Sequence, residues 1–466
     1  MIKKIGSVLL LLVLAGTCVF VVGKRDGAII EHGGAILFGP GSGNSAGTDG
    51  SSSYVIAETP EPSPTPEPTP VPTPNPYPNG FDICGKHYTT ESVSIDMTGA
   101  SEEDINKFCE AAPHMVMLKS VEFGNEETDK VSWEALALMR EAAPDAAFNY
   151  SFSLYGQPMT LETEYIDLRQ ISVDDNGAAV MAALPCMTNC KYLDMDRSGV
   201  DNEHMEIIRD TFPNVKVVWR VYFSTMDYSC RTDVKTILAS LTGVGDYAGF
   251  TNEESEKPLF YCTDVVNLDV GHNSNMRSLA FLKYMPNLEV FITYENYLRD
   301  ISDLAYCKKL RYLELFVSSM YDCSVIAELD NLTDLMLCAC YNLSDISALV
   351  PADKLTKLER FYIAGTASYI PSEQIEEFKK NHPNCEVNTT ENSVGEHWRF
   401  IDTSIGNSVE NRQPRYQEMC EIFHYNADNR QAYNFSSNDP YFTTPHGQEV
   451  TGERIEWFYG KDYPQY

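Results

Sequence analysis

Leu310-Arg311-Tyr312-Leu313-Glu314-Leu315-Phe316-Val317-Ser318 reads as one turn of a repeating structure. Apolar residues hold its first, fourth and sixth places and a small hydrogen-bonding residue its ninth, the frame L-x-x-L-x-L-x-x-N. The frame recurs upstream as Val265-Leu268-Val270-Asn273 and Leu288-Phe291-Thr293-Asn296. Downstream it returns as Leu332-Leu335-Leu337-Cys340 and Leu358-Phe361-Ile363-Thr366, with starting residues 23, 22, 22 and 26 apart. Apolar residues two apart on a short strand point the same way, so Leu313 and Leu315 enter one core. No single turn can shield its own leucines, so successive turns must stack. The ninth place faces the interior where the chain leaves the strand, and a polar side chain there satisfies backbone that would otherwise be buried unpaired. Asn273, Asn296, Ser318, Cys340 and Thr366 are the expected ladder, with Ser198 its counterpart further upstream. Thr293 replaces an apolar residue, so a distorted turn is expected there.

Beyond the ladder, Leu298-x-x-Ile301-x-x-Leu304 and Leu343-x-x-Ile346-x-x-Leu349 repeat at a spacing of three, which suits a tight helical turn. The words Leu298-Arg299-Asp300-Ile301-Ser302-Asp303-Leu304 and Leu343-Ser344-Asp345-Ile346-Ser347-Ala348-Leu349 resemble the bacterial, internalin-like subclass of the leucine-rich repeat family. The resemblance implies an α/β solenoid, a horseshoe with a parallel β-sheet on its concave face. It covers Val265 to about Val387, within a repeat region expected over 265–395. Residues between the core positions then project onto the concave face: Tyr192, Asp194, Asp269, Glu289, Ile292, Tyr312, Glu314, Met336, Arg360 and Tyr362, extended by Tyr294 and Phe316. Tyrosines with interleaved carboxylates favour a basic or hydroxyl-bearing partner, which makes this face the expected binding surface for a protein or glycan.

The first half carries a longer period of about 71 residues, seen in Ile95-Asp96-Met97, Ile166-Asp167-Leu168 and Ile237-Leu238-Ala239. Between these lie Leu118-Val121-Phe123 and Cys190-Leu193-Met195-Ser198, each followed by a helical stretch, then Pro144-Asp145 or Pro213-Asn214, then an apolar strand. Helices are expected over 102–110, 203–209 and 376–380. Residues 81–264 therefore read as degenerate long coils, the alternative being a separate α/β domain.

Lys3 and Lys4 precede an apolar run over 5–23, long enough to cross a bilayer as a helix. A signal anchor with 1–4 inside the cell is expected; a cleaved signal and a lipidated Cys18 are the alternatives. Residues 24–80 begin rich in Gly and Ser, and Pro then holds every even position from Pro60 to Pro78. Alternating proline imposes extended geometry at about 3.1 Å per residue, a stalk of roughly 60 Å. With 35 Lys plus Arg against 67 Asp plus Glu, the net charge of −32 argues against nucleic acid as a partner.

The tail, 396–466, breaks the repeat and is dense in Tyr, Asn and Pro. Trp398-Arg399-Phe400 and Arg415-Tyr416-x-x-Met419 offer anchors, and a cap over the open solenoid end is its expected role. For an enzyme, the material is thin: there is no H-E-x-x-H, G-x-S-x-G or Walker loop, and Gly243-Val244-Gly245 reads as a turn. No cofactor or metal is expected, although Cys186/Cys190 and Cys338/Cys340 are the closest cysteine pairs. The runner-up to a binding protein is a cell-envelope hydrolase with its site in the long repeats or in the tail, where Cys420 with His397, His424 or His446 offers a couple.

Overall fold

A computed structural model describes residues 10–14, 17–21, 75–127, 129–223, 228–238, 256–274, 276–390, 397–402, 404–405 and 408–423. The chain divides into two units, residues 1–72 and 73–466. In the first, β1 (Leu10–Leu14) pairs antiparallel with β2 (Thr17–Val21) inside the apolar run for which a helix is expected. The β-branched Val13, Thr17, Val19 and Val21 favour strand over helix locally. Among the described residues no helix is long and apolar enough to cross a membrane. The stalk up to residue 74 and the tail beyond 423 lie outside the described residues, as does Gly243-Val244-Gly245.

The second unit opens with a hairpin of β3 (Phe81–Ile83) and β4 (Lys86–Tyr88), turned by Cys84 and Gly85, both at positive φ. Three parallel strands follow: β5 (Ser94–Asp96), β6 (Ser120–Asn125) and β7 (Ala147–Leu154), separated by α1 (Glu102–Ala111) and α2 (Trp133–Ala142). Ser101 starts α1 with a capping box to Asp104, and Ser132 caps α2. Then β7 folds back onto β8 (Gln157–Thr160) through Tyr155 and Gly156. The same plan repeats in β9 (Tyr165–Asp167), α3 (Ala178–Ala183), β10 (Tyr192–Asp194), α4 (Asn202–Thr211) and β11 (Lys216–Val218). Another hairpin, β12 (Arg220–Phe223) with β13 (Tyr228–Arg231), closes it. Phe81, Phe152 and Phe223, each buried in its hairpin, stand 71 residues apart, as do Ile95, Ile166 and Ile237.

From Ile237 onward the coils shorten. A seven-stranded parallel sheet runs in sequence order through β14 (Thr236–Leu238), β15 (Asn267–Asp269), β16 (Val290–Tyr294), β17 (Tyr312–Phe316), β18 (Asp334–Met336), β19 (Arg360–Tyr362) and β20 (Glu386–Asn388). It begins upstream of residue 265, where the short period first becomes readable. The stretch between Leu238 and Val265 is longer than the later returns and hides the first coil from a 22-residue ruler. Returns between strands are short 3-10 turns such as Ser302–Tyr306 and Ser324–Glu328, until α5 (Ser372–Asn381) ends the series.

Register makes the core continuous. Ile237, Leu268, Phe291, Leu313, Leu335 and Phe361 are successive partners across the sheet, each with no exposed surface, and Val387 ends the row. Burial of each such side chain contributes about 1.5–3 kcal/mol. Thr293 does not distort its coil, since β16 pairs with β17 over five residues and the buried hydroxyl accepts a hydrogen bond from Asn296 Nδ2.

The residue before each ladder position is left-handed: Arg197, His272, Glu295, Val317 and Ala339 have φ between 53° and 60°, and Gly365 has 77°. A β-branched residue is poorly suited to this region, so Val317 stores strain. Val317→Gly is expected to raise the unfolding free energy by about 1 kcal/mol, because relief of strain exceeds the entropic cost of glycine. Urea denaturation checks this; a lowered midpoint contradicts strain at this turn.

Candidate binding face

The ladder side chains lie buried between coils. Ser318 Oγ donates to Asn296 Oδ1 at 3.4 Å, Cys340 Sγ to the Leu315 carbonyl at 3.0 Å, and Thr366 Oγ1 to the Leu337 carbonyl at 2.5 Å. Thr366 Oγ1 also accepts from the Cys340 amide at 2.8 Å, and Asn273 Nδ2 donates to the Val270 carbonyl at 2.7 Å. Ser198 is equally buried, its hydroxyl accepting from the Val200 amide at 3.5 Å. Parallel strands in sequence order, one stacked apolar row and polar side chains bridging one turn to the next settle the architecture. The chain folds as a leucine-rich-repeat solenoid. Thr366→Val is expected to cost about 1–3 kcal/mol, since the Leu337 carbonyl loses its side-chain donor while volume is kept. A thermal unfolding midpoint equal to the parent's contradicts the ladder role.

Comparison with known proteins adds little beyond the fold. No family model matches the chain, and no curated protein matches it. Among solved structures it is similar to an internalin (InlF) of Listeria monocytogenes, at 15% identity over 66% of this chain and 84% of that one, TM-score 0.27. Internalin C2 of the same organism gives 15% identity over 55% and 75%, TM-score 0.22. The functional domain of InlJ, described as including a cysteine ladder, gives 12% over 64% and 53%, TM-score 0.23. These superpositions are loose, and the fold rests on the strand order and register of this chain itself.

The residues expected on the concave face do point away from the spine, but nine of the twelve are buried. Two of the chain's own elements lie over them. Above β10, the hairpin of β12 and β13 brings Arg231 to 2.8 Å from Asp194 and a forked Arg220 to 2.8 and 2.9 Å from the two oxygens of Asp196. Tyr192, also covered, donates its hydroxyl to Asp233 at 2.9 Å. Burial pushes the Asp194 carboxyl up despite Arg231. At Asp196 burial acts the same way, and the Arg220 fork overcomes it to hold the carboxyl below its usual range.

Over the seven-stranded sheet lies a strap formed by the described residues 398–402, 404–405 and 408–423, which ends in α6 (Pro414–Phe423). Its backbone bonds to itself, Ile401 to the Asn411 carbonyl at 2.7 Å and Gln413 to the Arg399 carbonyl at 2.8 Å. Trp398 sits between Tyr312 and Tyr362, with ring centroids 5.5 and 5.0 Å away, and Arg360 stacks 4.1 Å from its ring. The indole N–H reaches the Tyr312 hydroxyl at 2.9 Å and Glu314 Oε2 at 3.2 Å. Arg399 takes the other oxygen of Glu314 at 3.0 Å. Arg415 pairs with Asp334 at 3.3 Å and Glu359 at 2.8 Å, while Glu418 pairs with Arg311 at 2.6 Å. Burial and the Glu314 charge push the Tyr312 hydroxyl well up; at Arg399 burial acts to lower the value, and Glu314 with Tyr416, Tyr294 and Tyr312 together overcome it and raise it.

The described part of the tail therefore lies across the sheet face, and the rest of the segment expected as a cap, 424–466, lies outside the described residues. In the last coil, α5 leads into β20, and its buried Phe378 packs 5.0 Å from Phe361. Of the residues expected on this face, Tyr192, Asp194, Asp269, Ile292, Tyr294, Tyr312, Glu314, Met336 and Tyr362 are buried. Glu289, Phe316 and Arg360 are half-buried. Asp334, fully buried in register with Tyr312 and Arg360, belongs to the same face and was not among the residues expected there. Tyr297, Tyr321, Tyr341 and Tyr369, on the turns after the strands, are exposed, as are Tyr284 and Tyr306 on 3-10 turns and Tyr165 and Tyr222 on β9 and β12.

Little here favours bond-making chemistry. Burial pushes the Cys186 and Cys190 thiols up to about 11 and those of Cys307, Cys323 and Cys340 to about 12. Burial also raises Cys420, and His424 and His446 lie outside the described residues. Among the described residues no group of three His, Cys, Asp or Glu side chains is arranged to hold a metal. Cys307, Cys323 and Cys340 are expected to stay unalkylated by iodoacetamide at pH 8 in the native chain and to react in guanidinium, as peptide mass spectrometry would read.

Proposed function

We propose that this protein is a binding protein of the cell exterior, held at the membrane by its N-terminal apolar run and raised on the proline-rich stalk to engage an extracellular protein. The observation that carries this reading is the outer sheet face, where tyrosine hydroxyls and carboxylates are matched to an indole and to guanidinium groups. Such groups recognise polypeptide side chains, and tryptophan, tyrosine and arginine dominate binding energy at protein interfaces. A glycan is the second reading, favoured by the exposed Tyr341 and Tyr369, whose rings lie 5.9 Å apart on adjacent coils.

Capture of cell-surface proteins by the full extracellular chain tests the proposal. Tyr341→Ala with Tyr369→Ala is expected to leave protein capture intact while removing any retention on immobilised glycans. No capture of either class at micromolar concentrations sinks the reading.

A further inference from the structure

We infer that the outer face of the sheet from β14 to β20 is a recognition site for a polypeptide segment bearing an aromatic residue followed by arginine. Residues 398–423 are its resident occupant, and a partner segment of the same chemistry competes with them. This rests on the protein-binding reading above and names the class of partner.

Three features separate this strap from ordinary core. First, the sheet is complete without it, since the described strap residues add no strand to the seven. Its withdrawal would leave the ladder of the solenoid intact. Second, its polar contacts with the sheet are made by side chains, apart from the Trp398 carbonyl, which accepts from Arg360 Nη1 at 3.2 Å. Trp398 and Arg399, adjacent in sequence, divide the two oxygens of Glu314 between them, and the indole is boxed by Tyr312, Tyr362 and Arg360. That is the anatomy of a binding hot spot, an aromatic anchor in a desolvated pocket beside a paired charge. Third, the charges are complementary across the contact, with Glu314, Asp334 and Glu359 on the sheet side facing Arg399 and Arg415 on the strap. A bare face would expose carboxylates and tyrosines selective for exactly such a cationic, aromatic segment, and an equivalent segment in trans would restore every pairing.

Tethering gives the strap a high effective concentration, so a free segment meets a face open only for a fraction of the time, and its apparent affinity falls by that fraction. The probe is a fluorescein-labelled synthetic peptide with the sequence of residues 397–412, followed by anisotropy. Full-length chain carrying Trp398→Ala and Arg399→Ala is expected to bind it about tenfold more tightly than the parent chain. Adding Glu314→Gln is expected to weaken that binding about tenfold, and a peptide with the Trp-Arg order reversed should bind about tenfold less well. Absence of peptide binding by a double variant that retains its circular dichroism and unfolding transition overturns the inference, as does indifference to Glu314→Gln. Should the double variant not fold, Trp398→Phe keeps an aromatic ring and loses the N–H together with the second ring of the indole. Hydrogen exchange on the parent chain then decides: amides of 398–423 exchange faster than those of β17 if the strap opens locally, and equal protection refutes it. Peptide binding without capture of surface proteins would remove the receptor reading and leave the site; capture without peptide binding would do the reverse.

Discussion

Leu313→Ala is expected to lower the unfolding free energy by about 2–5 kcal/mol. The leucine has no exposed surface and stacks in register between Phe291 and Leu335, so its removal loses transfer energy and leaves a cavity that two neighbouring strands border. In a solenoid, stability is close to a sum of coil and interface contributions, and one truncation damages two interfaces at once. Denaturant titration should show the drop, and amide protection in β16 and β18 should fall with that in β17. A loss below about 1 kcal/mol, or one confined to β17, would contradict the shared spine.

Arg231→Met is expected to cost about 3–5 kcal/mol at neutral pH, the penalty for leaving a buried charge without its partner. Arg231 lies 2.8 Å from Asp194, 3.3 Å from Asp233 and 3.6 Å from Asp196, so one guanidinium serves three carboxylates. Without it, Arg220 remains for Asp196 and only the more distant, part-exposed Arg169, at 4.0 Å, for Asp194, whose carboxyl burial already pushes up. The sign of the pH dependence follows. A carboxyl raised in the folded state binds its proton more readily there than in the unfolded chain, so folding is favoured as pH falls through the interval between the two values. The deficit of Arg231→Met against the parent should therefore be largest near pH 7 and shrink toward pH 4. A deficit that is constant over that range would mean lost packing by the arginine stem and not an orphaned charge.

How much of this was readable in the residues depends on whether a contact is periodic. Leu313, Leu335 and Phe361 announce their neighbours by position alone, because each coil copies the last. The 71-residue echo of Ile95 in Ile166 and Ile237 likewise marked true strands. Contacts made once carry no such signal. Trp398 meets Tyr312 across 86 residues and Arg399 meets Glu314 across 85. The sequence marked Trp398, Arg399 and Tyr416 as anchors and gave no indication of where they dock. The hairpin arginines were missed for the same reason, since Arg220 and Arg231 find Asp196 and Asp194 through a fold-back that the strand frame does not encode. Exposure of the tyrosines on the strands was inferred from alternation, which tells which way a side chain points and not whether another part of the chain lies over it.

The antiparallel hairpin that closes each early set of three strands has a genetic consequence. It interrupts the hydrogen-bonded ladder at regular intervals, so the segment that can be duplicated or deleted as a whole is not the single coil but a cassette of 71 residues, from one buried hairpin phenylalanine to the next. Length in this part of the molecule should drift among descendants in steps of that cassette, whereas the region from Ile237 onward is free to change by one short coil at a time.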